Sequence, residues 1–243
     1  MTTDRGFVVI DVETSGFDPA TARMLSVAAL TLSPTCAVEH SMYTLLDPGV
    51  DPGPTHVHGL TAAMLAGQPR FADVAARLAA LMSGRILVAH NVAFDYAFLA
   101  AEGRRCGATL PVAEVLCSLE LAGLLDLGLD SLSLASLAAH WHVPQARPHD
   151  ALDDARVLAA ILPSALSRAA ARRMKLPIRH PRRCGRPYRG IRLAHNVRSR
   201  RCPCRCRDQR PGQRVRSRML QCSRRGALSS ARPTTFVCPR TAV

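Results

Sequence analysis

Two acidic residues at the end of a hydrophobic segment are the first candidates for chemistry. Residues 7–10 read Phe-Val-Val-Ile, and Asp11 and Glu13 follow with one residue between them. Because alternate side chains of a strand share a face, both carboxylates are predicted to lie on the same face. Neighbouring carboxylates repel each other and burial adds to that cost, which a divalent cation would offset. The alternative is a strand that enters solvent through two acids, and this segment alone does not decide between them.

A second hydrophobic segment is followed by another carboxylate. Residues 86–89 read as a buried strand, and His90 and Asn91 form a polar turn after it. A helical pattern then begins and places Asp95 in its first turn or two. His90 is predicted to support the entry to this helix rather than to bind a metal.

A third segment adds a histidine and one more acid. His149 precedes a helix that Asp150 is predicted to cap, with Asp153 as its capping-box partner. Asp154 lies one turn past the cap, off the buried stripe of that helix. It is therefore placed to reach the same site as His149.

Together these segments supply four carboxylates and one histidine. Oxygen ligands of this kind suit Mg²⁺ or Mn²⁺, and four of them can hold two ions. A metal pair about 3.5–4 Å apart activates a water molecule and binds both oxygens of an in-line phosphoryl displacement. His149 is placed to accept the proton of the attacking water. The pattern therefore predicts a phosphodiester substrate.

The order and spacing of these residues resemble the three motifs of the DEDDh (DnaQ-like) 3′–5′ exonucleases, a family that includes the proofreading epsilon subunit of bacterial DNA polymerase III. The matching residues are Asp11, Glu13, Thr14 and Gly16 in the first motif, His90, Asn91, Phe94 and Asp95 in the second, and His149, Ala151, Asp154 and Ala155 in the third. A stretch similar to the family's His-Gly-Ile-Thr element begins at His58. The resemblance covers roughly residues 5–168.

The resemblance also implies roles for the matched residues. It implies that Asp11, Glu13, Asp95 and Asp154 hold two ions, with Asp11 contacting both of them. It assigns His149 as general base, with Glu13 also in the catalytic set, and it implies a substrate-contacting group made up of Thr14, Asn91, Phe94 and His58.

The reaction implied by the resemblance is stepwise hydrolysis of nucleic acid from a free 3′ end, releasing nucleoside 5′-monophosphates. DNA is the preferred substrate, in replication proofreading or repair, and a DNA polymerase is a candidate partner. Two alternatives remain at this point. A relative that trims RNA or short oligonucleotides shares every motif, and a non-catalytic nucleic-acid-binding module is the alternative from a different class.

The elements that must position these residues follow an α/β pattern. Three strands are predicted at 7–11, 24–32 and 38–46, and strands at 86–89 and 114–118 then alternate with helices. Helices are predicted at 71–82, 92–103, 119–127, 132–142 and 150–168. The resemblance implies an RNase H-like mixed sheet flanked by helices, and a chain of this length buries a sizeable core.

Charge divides the chain into two unlike parts. Residues 1–167 hold 17 acidic and 9 basic residues, a formal charge of −8, whereas residues 168–243 hold 23 basic residues and only Asp208 as an acid, which gives +22. We therefore predict an exonuclease domain at 1–168 and an Arg/Pro/Cys-rich tail at 169–243 that does not order itself by burial.

The tail allows more than one interpretation. Its arginines suit a salt-dependent nucleic-acid tether. Its irregular mixture of Arg, Pro, Cys and Ser is also typical of a GC-rich gene read out of frame after about residue 175, and composition favours this second interpretation. Cys202, Cys204 and Cys206 lack the pair spacing of a structural zinc site.

The sequence contains no segment typical of a secretory signal or of a membrane helix. The expected location is therefore the cytoplasm.

Overall fold

The computed structural model describes residues 4–183, apart from the side chain of Arg182. The tether and frameshift hypotheses for the tail, and the spacing argument against a zinc site there, concern residues outside this range and are not tested by the structure.

A six-stranded mixed sheet forms the centre of the fold. Its strands, in chain order, are β1 (Phe7–Thr14), β2 (Met24–Leu32), β3 (Val38–Leu45), β4 (Ile86–Ala89), β5 (Val115–Cys117) and β6 (Ile178–Arg179). Their order across the sheet is β3-β2-β1-β4-β5-β6. The first three strands form an antiparallel meander, β4 and β5 run parallel to β1, and β6 is antiparallel at the edge. The predicted RNase H-like mixed sheet is confirmed.

Seven helices accompany the sheet within residues 4–183. They are α1 (Thr55–His58), α2 (Ala62–Leu65), α3 (Phe71–Met82), α4 (Val92–Cys106), α5 (Ser118–Leu125), α6 (Leu134–His140) and α7 (Ala151–Ala171). A short 3₁₀ turn at Pro181–Arg183 follows.

Helices cover both faces of the sheet because β1 alternates its side chains between two cores. Val8 and Ile10 pack with α3 and α4 on one face. Phe7 and Val9 pack with α6 and α7 on the other. Burying a large aliphatic or aromatic side chain of this kind contributes about 1.5–3 kcal/mol, so this packing holds α4 and α7 on opposite faces of the sheet.

Several local predictions differ from the structure. Strand β1 continues to Thr14 rather than ending at residue 11, because the backbone pairing with β2 extends past the acids. The helices α1 and α2 were not predicted, since four residues are too few to give a helical period. One half of the predicted capping box at α7 is confirmed, because the Asp150 carboxylate accepts a hydrogen bond from the Asp153 amide. The other half is wrong, because the Asp153 carboxylate accepts a hydrogen bond from the Arg147 amide.

Regular structure also continues beyond residue 168. Helix α7 runs to Ala171, and Ile178 in β6 pairs with Leu116 in β5. Met174 and Leu176 pack against a cluster formed by Leu121 and Leu125 of α5 and by Ala165 and Ala169 of α7. The boundary at residue 168 stays a prediction, but residues 169–183 contribute to the sheet and to its core.

Candidate active site

The carboxyl end of β1 carries the first two acids. Asp11 pairs with Ala28 of β2 and Glu13 pairs with Ser26, so both side chains lie on the face that α7 covers. The pairing with β2 shifts register between Glu13 and Thr14, and β1 ends at Thr14. Because β4 runs parallel to β1, the helix that follows β4 starts at the same edge, which is where α/β sheets commonly bind ligands.

Helix α7 brings a third carboxylate to this edge. One carboxylate oxygen each from Asp11, Glu13 and Asp154 lies within 4.8 Å of the other two. Residues 143 positions apart in the chain therefore meet in a single acidic cluster, as the motif spacing predicted.

Two donors from the loop before α7 fix the orientation of Asp154. The Gln145 side-chain amide donates to Asp154 Oδ1 at 2.7 Å, and the His149 backbone N–H donates to Oδ2 at 3.2 Å. His149 has a left-handed backbone with φ of 64°, and its side chain is exposed. Left-handed residues other than Gly and Asn are uncommon and cluster at functional sites. The arrangement leaves the imidazole accessible beside the acids.

Asp95 approaches the cluster from the opposite face of the sheet. It lies in the first turn of α4, only 4% exposed, and is adjacent to Asp11 and to the backbone of Val12. It does not belong to the group of three whose oxygens lie within 4.8 Å. The structure thus brings three predicted ligands together and places the fourth immediately behind Asp11.

Burial and mutual repulsion shift the pKa values of all four acids upward. Burial raises the pKa of Asp11 well above its ordinary value, and neighbouring carboxylates, Asp95 foremost, raise it further. Burial followed by the charge of Asp154 raises the pKa of Glu13 to about 8. Burial raises the pKa of Asp95 to about 8, although backbone hydrogen bonds act in the opposite direction. Burial also raises the pKa of Asp154, against the hydrogen bonds from Gln145 and His149.

This donor set fits a hard divalent cation. Carboxylate oxygens are the ligands that Mg²⁺ and Mn²⁺ prefer, and a cation would relieve the repulsion that raises these pKa values. Ser26, opposite Glu13 in the register, has a buried Oγ without a hydrogen-bond partner among residues 4–183. An unsatisfied buried hydroxyl next to the acids is consistent with a site that would bind a cation.

The predicted substrate-contacting residues have different surroundings. Thr14 is half-buried and its hydroxyl donates to the Gly16 carbonyl at 2.7 Å. Asn91, with φ of 80°, is the N-cap of α4, and Phe94 packs on Phe98 with ring centroids 4.9 Å apart. Thr14 therefore lies at the end of the strand that carries Asp11, and Asn91 and Phe94 lie at the start of the helix that carries Asp95.

The two other motif histidines are engaged by the protein. His58 is buried: its Nδ1 accepts from the Leu60 N–H at 3.0 Å and its Nε2 lies 3.2 Å from the Pro52 carbonyl. Both ring nitrogens thus serve the loop that contains them, and a polar contact to substrate would have to break one of these bonds. Burial lowers the pKa of His90 to about 4, and its Nδ1 lies 2.9 Å from Ser118 Oγ. His90 therefore links the turn before α4 to the start of α5, and its predicted role at the entry to α4 stays a prediction.

Sequence reasoning missed Gln145 and Tyr43. Gln145 lies in a loop without periodicity, so only its closeness in sequence to His149 pointed to it. Tyr43 lies on β3 in the row Asp11–Ala28–Tyr43 across the sheet, 39% exposed, and its pKa is raised by burial and then by the charge of Asp150. The sequence of β3 does not alternate between apolar and polar residues, so no local signal marked the face that Tyr43 occupies.

Comparison with known proteins identifies the family. The exonuclease family model named RNase_T matches residues 8–162, which include all four acids and His149. The chain belongs to this exonuclease family. The resemblance to the DEDDh (DnaQ-like) exonuclease family is thereby confirmed.

Two curated relatives illustrate the match. The 3′–5′ exonuclease DinG of Bacillus subtilis (strain 168) is 31% identical over 157 residues, which cover 64% of this chain and 17% of that protein. The DNA polymerase III subunit epsilon of Treponema pallidum (strain Nichols) is 29% identical over 154 residues, which cover 62% of this chain and 72% of the relative. The chain thus spans only a small part of the length of the Bacillus protein.

A solved structure shows the same fold. E. coli exonuclease I in complex with a dT13 oligonucleotide superposes with a TM-score of 0.61 at 20% identity, over 69% of this chain and 42% of that one.

Among the described residues, no helix combines the length and hydrophobicity needed to cross a bilayer.

Proposed function

We propose that this family member removes nucleotides from the 3′ end of DNA and acts in replication proofreading or in repair. The observation that carries the proposal is the acidic cluster of Asp11, Glu13 and Asp154, with Asp95 behind it and the exposed imidazole of His149 beside it. The name of the Treponema relative, a subunit of a DNA polymerase, supports DNA as the substrate and a polymerase as the partner.

We assign roles to the site residues as part of this proposal. Asp11, Glu13, Asp95 and Asp154 would hold two divalent ions, Mg²⁺ or Mn²⁺. When bound, such ions supply charge stabilisation at the phosphate and lower the pKa of water. His149, free of the core, would accept a proton from the attacking water.

The remaining assignments concern the substrate. Thr14, Asn91 and Phe94 would contact the terminal nucleotide, and His58 would hold the loop at 52–60. Contacts to phosphate, sugar and base faces of this kind carry little sequence information, so digestion should not depend on sequence.

A digestion assay with three substrates tests the proposal. Single-stranded DNA, a mismatched primer end and RNA of the same sequence, each labelled at the 5′ end, are incubated with the full chain and Mg²⁺. The expected result is a ladder that shortens from the 3′ end, with both DNA substrates consumed faster than RNA. Asp11→Asn should stop the reaction, and Asp130→Asn, at an exposed acid outside the cluster, is the matched control.

Each outcome has a defined meaning. Faster digestion of RNA than of DNA would refute the DNA assignment while leaving the exonuclease assignment intact. Equal rates for wild type and Asp11→Asn would refute the proposed site. The polymerase partner is tested separately, by co-purification of the full chain with the host replicative polymerase.

A further inference from the structure

The loop at 15–23, which joins β1 to β2, begins next to the acidic cluster and is closed at its base. The Ser15 N–H donates to the Arg23 carbonyl at 2.9 Å, and the Arg23 N–H donates to Ser15 Oγ at 2.9 Å. The loop follows Thr14 directly, and it exposes 84% of the side chain of Phe17. An exposed aromatic ring is the kind of surface on which nucleobases stack.

A buried carboxylate ties this loop to helix α4. Glu102 is 1% exposed: its Oε1 accepts from Arg23 Nε at 2.7 Å and from the Met24 N–H at 3.2 Å, and its Oε2 accepts from Arg23 Nη2 at 3.0 Å. Arg105 Nη1 also donates to Glu102 Oε1, at 3.2 Å. The Arg23 contact is a two-point fork, which restricts orientation more than a single hydrogen bond does.

Arg105 extends the network to the far end of the loop. Its Nη2 donates to the carbonyl of Pro19 at 2.6 Å and to that of Ala20 at 3.0 Å. Arg23 Nη1 in turn donates to the carbonyl of Pro48 at 3.2 Å. We call Arg23, Glu102 and Arg105 the loop-anchor network.

The opposite side of the loop is held by close backbone packing. A Cβ atom on Gly53, whose φ is +75°, would lie 2.2 Å from the Ser15 carbonyl oxygen. Only a residue without a side chain allows the segment at 51–60 to approach Ser15 this closely. His58 fixes that segment through the Pro52 carbonyl and the Leu60 N–H.

The same helix carries the loop anchor and a predicted metal ligand. Glu102 follows Asp95 by seven residues, two turns of α4, so both side chains lie on the buried side of the helix. A buried ion network is a costly way to stabilise a fold, because hydrophobic residues of similar size often serve as well. The placement of this network therefore indicates that it orients the loop at 15–23 rather than that it stabilises the fold.

We propose that Arg23, Glu102 and Arg105 are positioning residues that hold the loop at 15–23 in the conformation that receives the 3′-terminal nucleotide. This inference rests on the proposed exonuclease function. The network acts on substrate binding through Ser15 and the carbonyls of Pro19 and Ala20. Its hydrogen bonds involve neither the four acids of the proposed metal site nor His149.

Arg105→Gln is the decisive variant. It releases the Pro19 and Ala20 carbonyls and leaves Glu102 paired with Arg23, so the buried carboxylate keeps a cationic partner. Steady-state rates of the full chain are measured against the concentration of single-stranded DNA. Glu39→Gln is the matched control, because it removes an ion pair with Arg85 between the start of β3 and the residue before β4.

We expect KM to rise about tenfold in Arg105→Gln, since re-ordering a loop on binding costs about one factor of ten, while kcat stays within about twofold. The Mn²⁺-induced rise in unfolding temperature should equal that of wild type. Arg105→Lys, which keeps the charge next to Glu102 but not the fork, should show a smaller KM increase. If Arg105→Gln does not fold, Arg105→Lys carries the test: its KM should rise by less than about tenfold, again with kcat within about twofold of wild type.

The outcomes separate this inference from the proposed function. Wild-type protein that digests no nucleic acid refutes the proposed function and this inference with it. Active wild type with unchanged KM in the Arg105 variants refutes the loop-anchor role alone. A lower kcat at constant KM, or a lost Mn²⁺ response, would assign the network to the acidic cluster and overturn the inference.

Discussion

Replacing Glu13 by Gln should stabilise the metal-free protein, and the gain should depend on pH. Burial and the charge of Asp154 raise the pKa of Glu13 from 4.5 to about 8. The folded protein then binds more protons than the unfolded chain between these values, so metal-free stability must fall as pH rises from 4.5 to about 8. Gln removes this charge while keeping the shape of the side chain.

The size of the effect follows from the shift. Each pH unit corresponds to about 1.4 kcal/mol, so full ionisation costs about 5 kcal/mol and the cost at pH 7 is about 3 kcal/mol. Protonation of neighbouring acids relieves part of this cost, because coupled groups share protons. We therefore expect Glu13→Gln to raise the free energy of unfolding by about 2 kcal/mol at pH 8 in EDTA, and by close to nothing at pH 4.5.

Urea denaturation at a series of pH values measures this difference. Wild type, Glu13→Gln and the control Asp130→Asn are unfolded in EDTA between pH 4.5 and 8, and again with Mn²⁺ at pH 8. Mn²⁺ should stabilise wild type strongly and Glu13→Gln weakly. The stability advantage of Glu13→Gln that is found in EDTA should therefore shrink or reverse when Mn²⁺ is present. A variant that is less stable than wild type at pH 8 in EDTA, or a gain that does not change with pH, would refute the reasoning.

Three further predictions concern the surroundings of the acids. His149→Asn should lower kcat by about 10²–10⁴-fold with unchanged urea unfolding, because Asn tolerates the left-handed backbone and the side chain is exposed; activity within a factor of a few of wild type would argue against His149 as the base. Gln145→Ala should weaken Mn²⁺ binding about tenfold, measured by titration, because Asp154 loses its donor at 2.7 Å. Gly53→Ala should cost about 1–3 kcal/mol of stability in urea and raise KM, because the added Cβ displaces Ser15; wild-type values of both would contradict the packing described for this loop.

The acids and the central strands were predictable because their signals are local. Asp11, Glu13 and Asp95 each follow a short apolar run closely, and such runs form strands in the interior of a mixed sheet. The capping role of Asp150 was also local and is confirmed by its bond to the Asp153 amide.

Other features depend on contacts that no local pattern encodes. The Arg23–Glu102 pair joins residues 79 positions apart, and β6 is two residues that become a strand only by pairing with β5. Asp153 failed as a box partner because the turn before α7 folds back, bringing the Arg147 amide to its carboxylate at 2.6 Å. Gln145 is identified by the position of its amide next to Asp154, which the tertiary fold determines.

The four acids lie on elements that the core holds in place, and this explains how the chain folds although the acids repel each other without a cation. Asp11 and Glu13 come from the central strand β1, Asp154 from α7 on one face and Asp95 from α4 on the other. The core on each face fixes its helix independently of the site, so packing holds together charges that would otherwise separate. A cation bound among them would connect both layers at the carboxyl end of β1. Hydrogen exchange in the first turns of α4 and α7 should therefore slow together when Mn²⁺ is added, whereas β3 at the sheet edge should not respond.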